Sequence, residues 1–182
     1  TGELLSAHPL NGATQAWGAE VDKKGNVYIA AGANLYKYDR KTDSVTNLGQ
    51  AIEGESTLWH IKSDSKGRIF GGTFPNGKLF MYDPKQKKFT DYGQMAEGEQ
   101  YGRSVAVHKD KVFVGVGSNA HLIEFTPKTG KKKEIALPAK YDNEKFVYDL
   151  DVERDHLFAR VTDSSTLLVY DLKREKWVDE IT

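Results

Sequence analysis

Residues 56–99 read STLWHIKSDSKGRIFGGTFPNGKLFMYDPKQKKFTDYGQMAEGE. Four short runs, each apolar or alternating, are separated by Asp64-Ser65-Lys66-Gly67, by Phe74-Pro75-Asn76-Gly77 and by Pro84-Lys85-Gln86-Lys87-Lys88. Glycine supplies positive φ, proline a fixed φ, and Asp or Asn a side chain that bonds to backbone two residues on. Each separator is therefore a tight turn, and the stretch predicts four successive antiparallel strands. The Asp-x-x-Gly turn recurs at Asp22-Lys23-Lys24-Gly25.

The same text is written around this unit. Tyr38-Asp39, Tyr82-Asp83, Phe125-Thr126 and Tyr170-Asp171 fall at steps of about 43 to 45 residues, the period of a four-stranded propeller blade. Blades are predicted at about 15–55, 56–99, 100–144 and 145–182. Residues 1–14 are assigned to the outer strand, at Glu3–Leu5, and the loop of a preceding blade. No run has a 3.6-residue apolar stripe of helical length, so the fold class is all-β. A β-sandwich also has closely spaced strands, but it does not require one text to recur. Four complete blades plus one outer strand predict a larger assembly, completed by further blades of a longer chain or by a second copy in a homo-oligomer.

Composition narrows the function. Lys and Arg number 26, as do Asp and Glu, so no net field selects nucleic acid or an anionic membrane surface. An apolar share of 38% fits a soluble globular domain, and no run approaches the ~18 apolar residues of a membrane span. The absence of cysteine removes disulfides and thiolate chemistry and leaves the compartment open, a secreted or cell-surface setting included. No His-x-His or His-Glu-x-x-His spacing occurs, so no metal site is expected. Gly71-Gly72 and Gly115-Val116-Gly117 end strands with no helix following, so they build no phosphate loop and no cofactor is implied.

The motif after the third strand, Tyr82-Asp83-Pro84-Lys85 and Tyr170-Asp171-Leu172-Lys173, has a variant in Phe125-Thr126-Pro127-Lys128-Thr129-Gly130-Lys131. It resembles the blades of the streptogramin-lyase, gluconolactonase and quinoprotein-like propellers over essentially the whole chain. That resemblance implies the propeller fold. The metal-binding residues of gluconolactonases and the catalytic His and Glu of streptogramin lyases have no matching positions here, so it carries no activity.

Ligands of propellers enter at the face where the inner strands begin. There the register collects Trp17, Trp59, His60, Tyr101, Arg103, Tyr148 and Asp149, with Phe74, Asn76, Asn119 and His121 on or beside the neighbouring loops. Aromatic planes beside Arg, Asn and His suit a sugar or a polar cyclic ligand. The expected ligand-binding set is Trp17, Trp59, Tyr101, Arg103, Tyr148, Asn76 and Asn119, taking a carbohydrate or a protein partner. The alternative is an enzyme, a polysaccharide lyase or a lactonase-like hydrolase. Its candidate catalytic groups are His60, His121, Tyr148 and Arg103, with histidine removing a proton beside a carboxylate neutralised by the arginine. The same aromatics could instead pack between blades, and strand alternation could turn His60 into a blade interface. Lysines gather in the exposed turns, around Lys128 and Lys131 to Lys133 among others, which predicts a basic face opposite the ligand face.

Overall fold

Asp64 shows how the turns are made. Its Oδ1 accepts from the backbone amides of Lys66 and Arg68, each at 2.9 Å, while Gly67 takes a φ of +79°. Asp22 does the same for Lys24 and Asn26, at 2.8 and 2.9 Å, with Gly25 at +81°. A side chain that satisfies two turn amides fixes hairpin register before any tertiary contact forms.

The computed structural model describes residues 2–162 and 166–182. Among them, sixteen strands form four antiparallel sheets in simple meander order. The first sheet holds β1 (Ala16–Val21), β2 (Val27–Ala31), β3 (Asn34–Asp39) and β4 (Ser44–Gln50). The second holds β5 (Thr57–Ser63), β6 (Ile69–Phe74), β7 (Lys78–Asp83) and β8 (Lys88–Gln94). The third holds β9 (Tyr101–His108), β10 (Lys111–Gly117), β11 (His121–Thr126) and β12 (Lys131–Glu134). The fourth holds β13 (Val147–Glu153), β14 (His156–Val161), β15 (Leu167–Asp171) and β16 (Lys176–Ile181), after a single 3-10 turn at Ala139–Tyr141. Among the described residues no helix is long and apolar enough to cross a membrane.

The first strands of the four sheets stand side by side, β1 against β5, β5 against β9 and β9 against β13. The sheets stack face to face, and side chains of alternate parity fill the gaps between them. Tyr28, Leu35, Leu58, Ile61 and Phe80 close the first gap. Phe70, Leu79, Val105, Val114 and Phe125 close the second. Phe113, Leu122, Val147, Leu157 and Leu168 close the third. Repeated four-stranded meanders with adjacent inner strands are propeller blades, and the fold class is an all-β propeller. Glycines permit the closest blade contacts: a Cβ on Gly72 would overlap the carbonyl of Gly102 in the next blade.

One expectation is corrected. Glu3–Leu5 is not a strand but an exposed segment outside any sheet, with Leu4 81% and Leu5 89% accessible. The N-terminal segment lies on the first sheet. Ser6 Oγ and His8 Nε2 meet Asp43 Oδ1 at 3.2 and 2.9 Å, and Tyr36 donates its hydroxyl to the Asn11 carbonyl at 2.8 Å. Side-chain contacts therefore anchor the segment where a backbone ladder was expected; position 1 lies outside the described residues. Three lysines of the predicted basic face are paired. Lys133 pairs with Glu175 at 2.7 Å, and Lys109 and Lys173 share Asp155 at 3.4 and 2.6 Å.

Candidate functional site

All four inner strands break their pairing with the second strand of the blade at the same height. In β1 the register steps from Ala16 opposite Ala31 to Gly18 opposite Ala30, leaving out Trp17. In β9 it steps from Gly102 opposite Val116 to Ser104 opposite Gly115, leaving out Arg103. In β13 it steps from Val147 opposite Val161 to Asp149 opposite Arg160, leaving out Tyr148. In β5, Trp59 and His60 fall between Leu58 opposite Thr73 and Ile61 opposite Gly71. Counted back from the hairpins, Trp17, Trp59, Arg103 and Tyr148 hold equivalent positions. A β-bulge frees one side chain from the in-and-out alternation and re-aims it. Four bulges in register thus collect four large side chains outside the blade cores.

These side chains touch. The rings of Trp17 and Trp59 lie 5.2 Å apart, and Trp59 and Tyr101 6.1 Å apart. Tyr101 meets Phe74 at 4.7 Å and Phe146 at 5.2 Å, and Phe146 meets Tyr148 at 6.4 Å. One aromatic chain therefore crosses all four blades. Trp17, at its end, is 45% exposed.

Arg103 is set into this chain. Its guanidinium carbon lies 4.9 Å from the Trp59 ring centroid and 4.0 Å from that of Tyr148. The residue is only 6% accessible, and among the described residues its Nη1 has no hydrogen-bond partner. The indole Nε1 of Trp59 is likewise buried and unpartnered. Each cation–π contact returns roughly 0.5–2 kcal/mol, whereas a buried donor left without an acceptor costs about 1–3 kcal/mol, and more when charged. The rings offset that penalty; they do not supply an acceptor.

The carboxylate of Asp149, in this layer, is engaged by other partners. Asp149 accepts from Nε and Nη2 of Arg160 at 2.9 and 2.5 Å, and its Oδ1 lies 3.5 Å from His60 Nδ1. Arg160 also stacks on Tyr148, at 4.6 Å. Burial, and after it the charge of Arg103, holds His60 below the ordinary histidine pKa, while Asp149 pulls the other way. The imidazole is accordingly neutral at neutral pH. Below it, Lys62 reaches Asp151 at 3.4 Å. A cleft of about 420 Å³ opens there, lined by His60, Lys62, Asp149, Asp151, Phe158 and Leu167 among others.

The structure thus brings together Trp17, Trp59, His60, Tyr101, Arg103 and Tyr148. It engages the two asparagines differently. Asn76 donates Nδ2 to Glu55 at 2.6 Å and its backbone N–H at 3.1 Å; Asn119 donates to Glu99 at 2.6 and 3.0 Å. Each Glu is nearly inaccessible, at 3% and 7%. These Glu–Asn pairs tie the loop entering one blade to the second-to-third-strand loop, so both side-chain amides are committed within the protein. His121 bonds to Glu134 at 2.6 Å and lies 4.0 Å from Glu99, beside this latch.

Arg160 is not among the residues that the sequence analysis singles out. The hairpin pairing Glu153 with His156 nevertheless sets Asp149 opposite Arg160, so register counting is the signal that finds it. Glu55 and Glu99 were hidden by looking like ordinary loop acids.

No protein-family model matches this chain, and no curated protein matches it in sequence. Solved structures do match in shape. A streptogramin B lyase structure superposes with a TM-score of 0.77 at 13% identity, covering 95% of this chain and 56% of that one. A chain of a nidogen/laminin complex gives 0.74 at 10% identity over 94% of this chain and 65% of that one. A chain of a mitotic checkpoint complex gives 0.74 at 13% identity over 100% and 59%. This chain therefore spans roughly three-fifths of the length of those similar structures. At such identities the likeness establishes the propeller fold alone.

Proposed function

We propose that this propeller is a binding module that takes a carbohydrate on the aromatic layer of its inner strands. The observation that carries the reading is the set of four bulges in register, which deliver Trp17, Trp59, Arg103 and Tyr148 to one continuous layer. Sugar rings present C–H faces that stack on aromatic planes while their hydroxyls take hydrogen bonds from neighbouring polar groups. Here the planes come with two uncommitted buried donors and a neutral imidazole. Glycan-array binding on the intact protein tests the reading: Trp59→Ala and Tyr148→Ala should each weaken capture at least tenfold. Unchanged capture by both variants, with the fold retained by circular dichroism, would refute it.

The neutral state of His60 favours one second reading, a lyase-type enzyme. A neutral imidazole beside a guanidinium can remove a proton adjacent to a carboxylate. An ultraviolet assay for unsaturated products over a panel of acidic polysaccharides decides the point. A signal lost in His60→Ala would establish chemistry, and silence across the panel would leave binding as the function.

A further inference from the structure

We propose that Arg103 is a carboxylate receptor, so that the saccharide taken on the aromatic layer is an acidic one, a uronic-acid sugar whose carboxylate pairs with the Arg103 guanidinium. The proposal rests on the carbohydrate reading above and names the chemistry that this surface selects.

Three observations carry it. First, Arg103 breaks the repeat at the bulge: the equivalent residue in the other three blades is aromatic, Trp17, Trp59 or Tyr148, and only the third blade places a cation there. Second, that cation is 94% buried by the chain, yet among the described residues Nη1 bonds to nothing and no carboxylate lies within ion-pair distance of it. Asp149 is held by Arg160 and approached by His60. Third, the neighbouring ring adds an uncommitted donor: Trp59 Nε1, on the indole that Arg103 stacks against, is also buried without a partner.

Two orphan N–H donors on stacked side chains call for an acceptor, and the charge on one of them favours an anion. A planar carboxylate fits a guanidinium edge. A uronate unites that carboxylate with a sugar ring of about the same width as the flanking Trp59 and Tyr148 rings, so one ligand engages both kinds of group. A free Asp or Glu side chain has the carboxylate without the ring face, and a neutral sugar has the ring without the charge; neither uses the whole layer.

The test is calorimetric titration of the intact protein with oligosaccharides of glucuronate, galacturonate, and mannuronate with guluronate, each beside its carboxyl-reduced neutral counterpart. At least one acidic form should bind at least tenfold more tightly than its neutral partner. Arg103→Met keeps the side-chain length and removes the charge, and it should equalise the two forms while residual stacking affinity persists. Arg103→Lys, which keeps charge but loses the planar fork, should retain only part of the preference. If neutral and acidic forms bind the parent equally and Trp59→Ala abolishes both, the aromatic reading stands and the carboxylate receptor falls. If the parent binds no member of the panel, the proposal falls, and capture of other glycans on the array then decides the carbohydrate reading separately. A preference that survives in Arg103→Met would also overturn the assignment.

Discussion

Replacing Arg103 with methionine separates a binding residue from a structural one. A buried arginine that holds a fold together is paired, and removing one partner of a buried pair costs about 3–5 kcal/mol. Arg103 has only its two rings. Losing both cation–π contacts costs roughly 1–4 kcal/mol in total, taking the usual range per contact. Against this, Met abolishes a buried charged donor without an acceptor, a penalty above about 1–3 kcal/mol. Its thioether also regains about 0.3–1.5 kcal/mol at each ring. The midpoints of these ranges, about 2.5 lost against about 2 relieved and about 1.8 regained, place Arg103→Met about 1 kcal/mol above the parent. For a chain of this size that is a rise in the melting midpoint of a few degrees, because each kcal/mol moves it by roughly 2–4 °C. Urea titration and thermal denaturation followed by circular dichroism measure it. A fall of about 10 °C would mean that Arg103 supports the fold, and the case for a ligand-facing cation would lose its energetic basis.

Four further outcomes follow from the geometry. Glu55→Ala removes the acceptor of Thr73 Oγ1 at 2.6 Å and of both Asn76 donors, and should cost about 3–5 kcal/mol at about 1.5–3 per charge-assisted bond, less additivity losses; an unchanged urea midpoint would refute the latch. Gly72→Ala drives a methyl group into the Gly102 carbonyl and should destabilise by 1–3 kcal/mol or more as the second and third blades separate, with wild-type stability as the contrary result. His60 has a folded pKa lowered by burial and by Arg103, against Asp149, so the unfolded chain binds the proton more readily. Its contribution is complete above the unfolded value of about 6.5 and is lost as pH falls toward the lowered folded value. His60→Gln should flatten that part of a stability–pH profile. Arg103→Met should move the His60 titration upward in NMR, since a positive charge has been removed, and a downward move would contradict the arrangement.

The blades were legible because two independent local signals agree within each unit. Turn chemistry at Asp22 to Gly25 and Asp64 to Gly67 fixes hairpins, and alternation between turns fixes which face is buried, as in β10, where Val112, Val114 and Val116 point one way. The Glu3–Leu5 strand was misjudged for the same reason. A short apolar run aligned with the repeat satisfies the pattern, but alignment alone does not make a ladder, and Ser6, His8 and Asn11 instead find side-chain partners on the first sheet. Asn76 and Asn119 were assigned from position alone. Their buried partners Glu55 and Glu99 come from the loop entering the blade, and no local pattern announces a contact about twenty residues away.

The bulges explain why site residues could be named but not their geometry. At a core position the neighbouring blade dictates the side chain: Leu58, Val147 and Val105 each fill a gap of fixed width, and a polar group there would lose its water without gaining a partner. A residue left out of the ladder is exempt from that constraint, because its side chain leaves the interface. The repeat can therefore tolerate Trp, Arg or Tyr at one structural position without disturbing the blades. Sequence alternation predicts that a residue at this height faces a core, which is why His60 could be assigned to a blade interface. The break in register between Leu58 and Ile61 turns it instead toward Asp149, two blades away. Chemical variety at the bulge and uniformity at the core are two consequences of the same backbone, and the third blade uses that freedom to set a guanidinium where its neighbours carry rings.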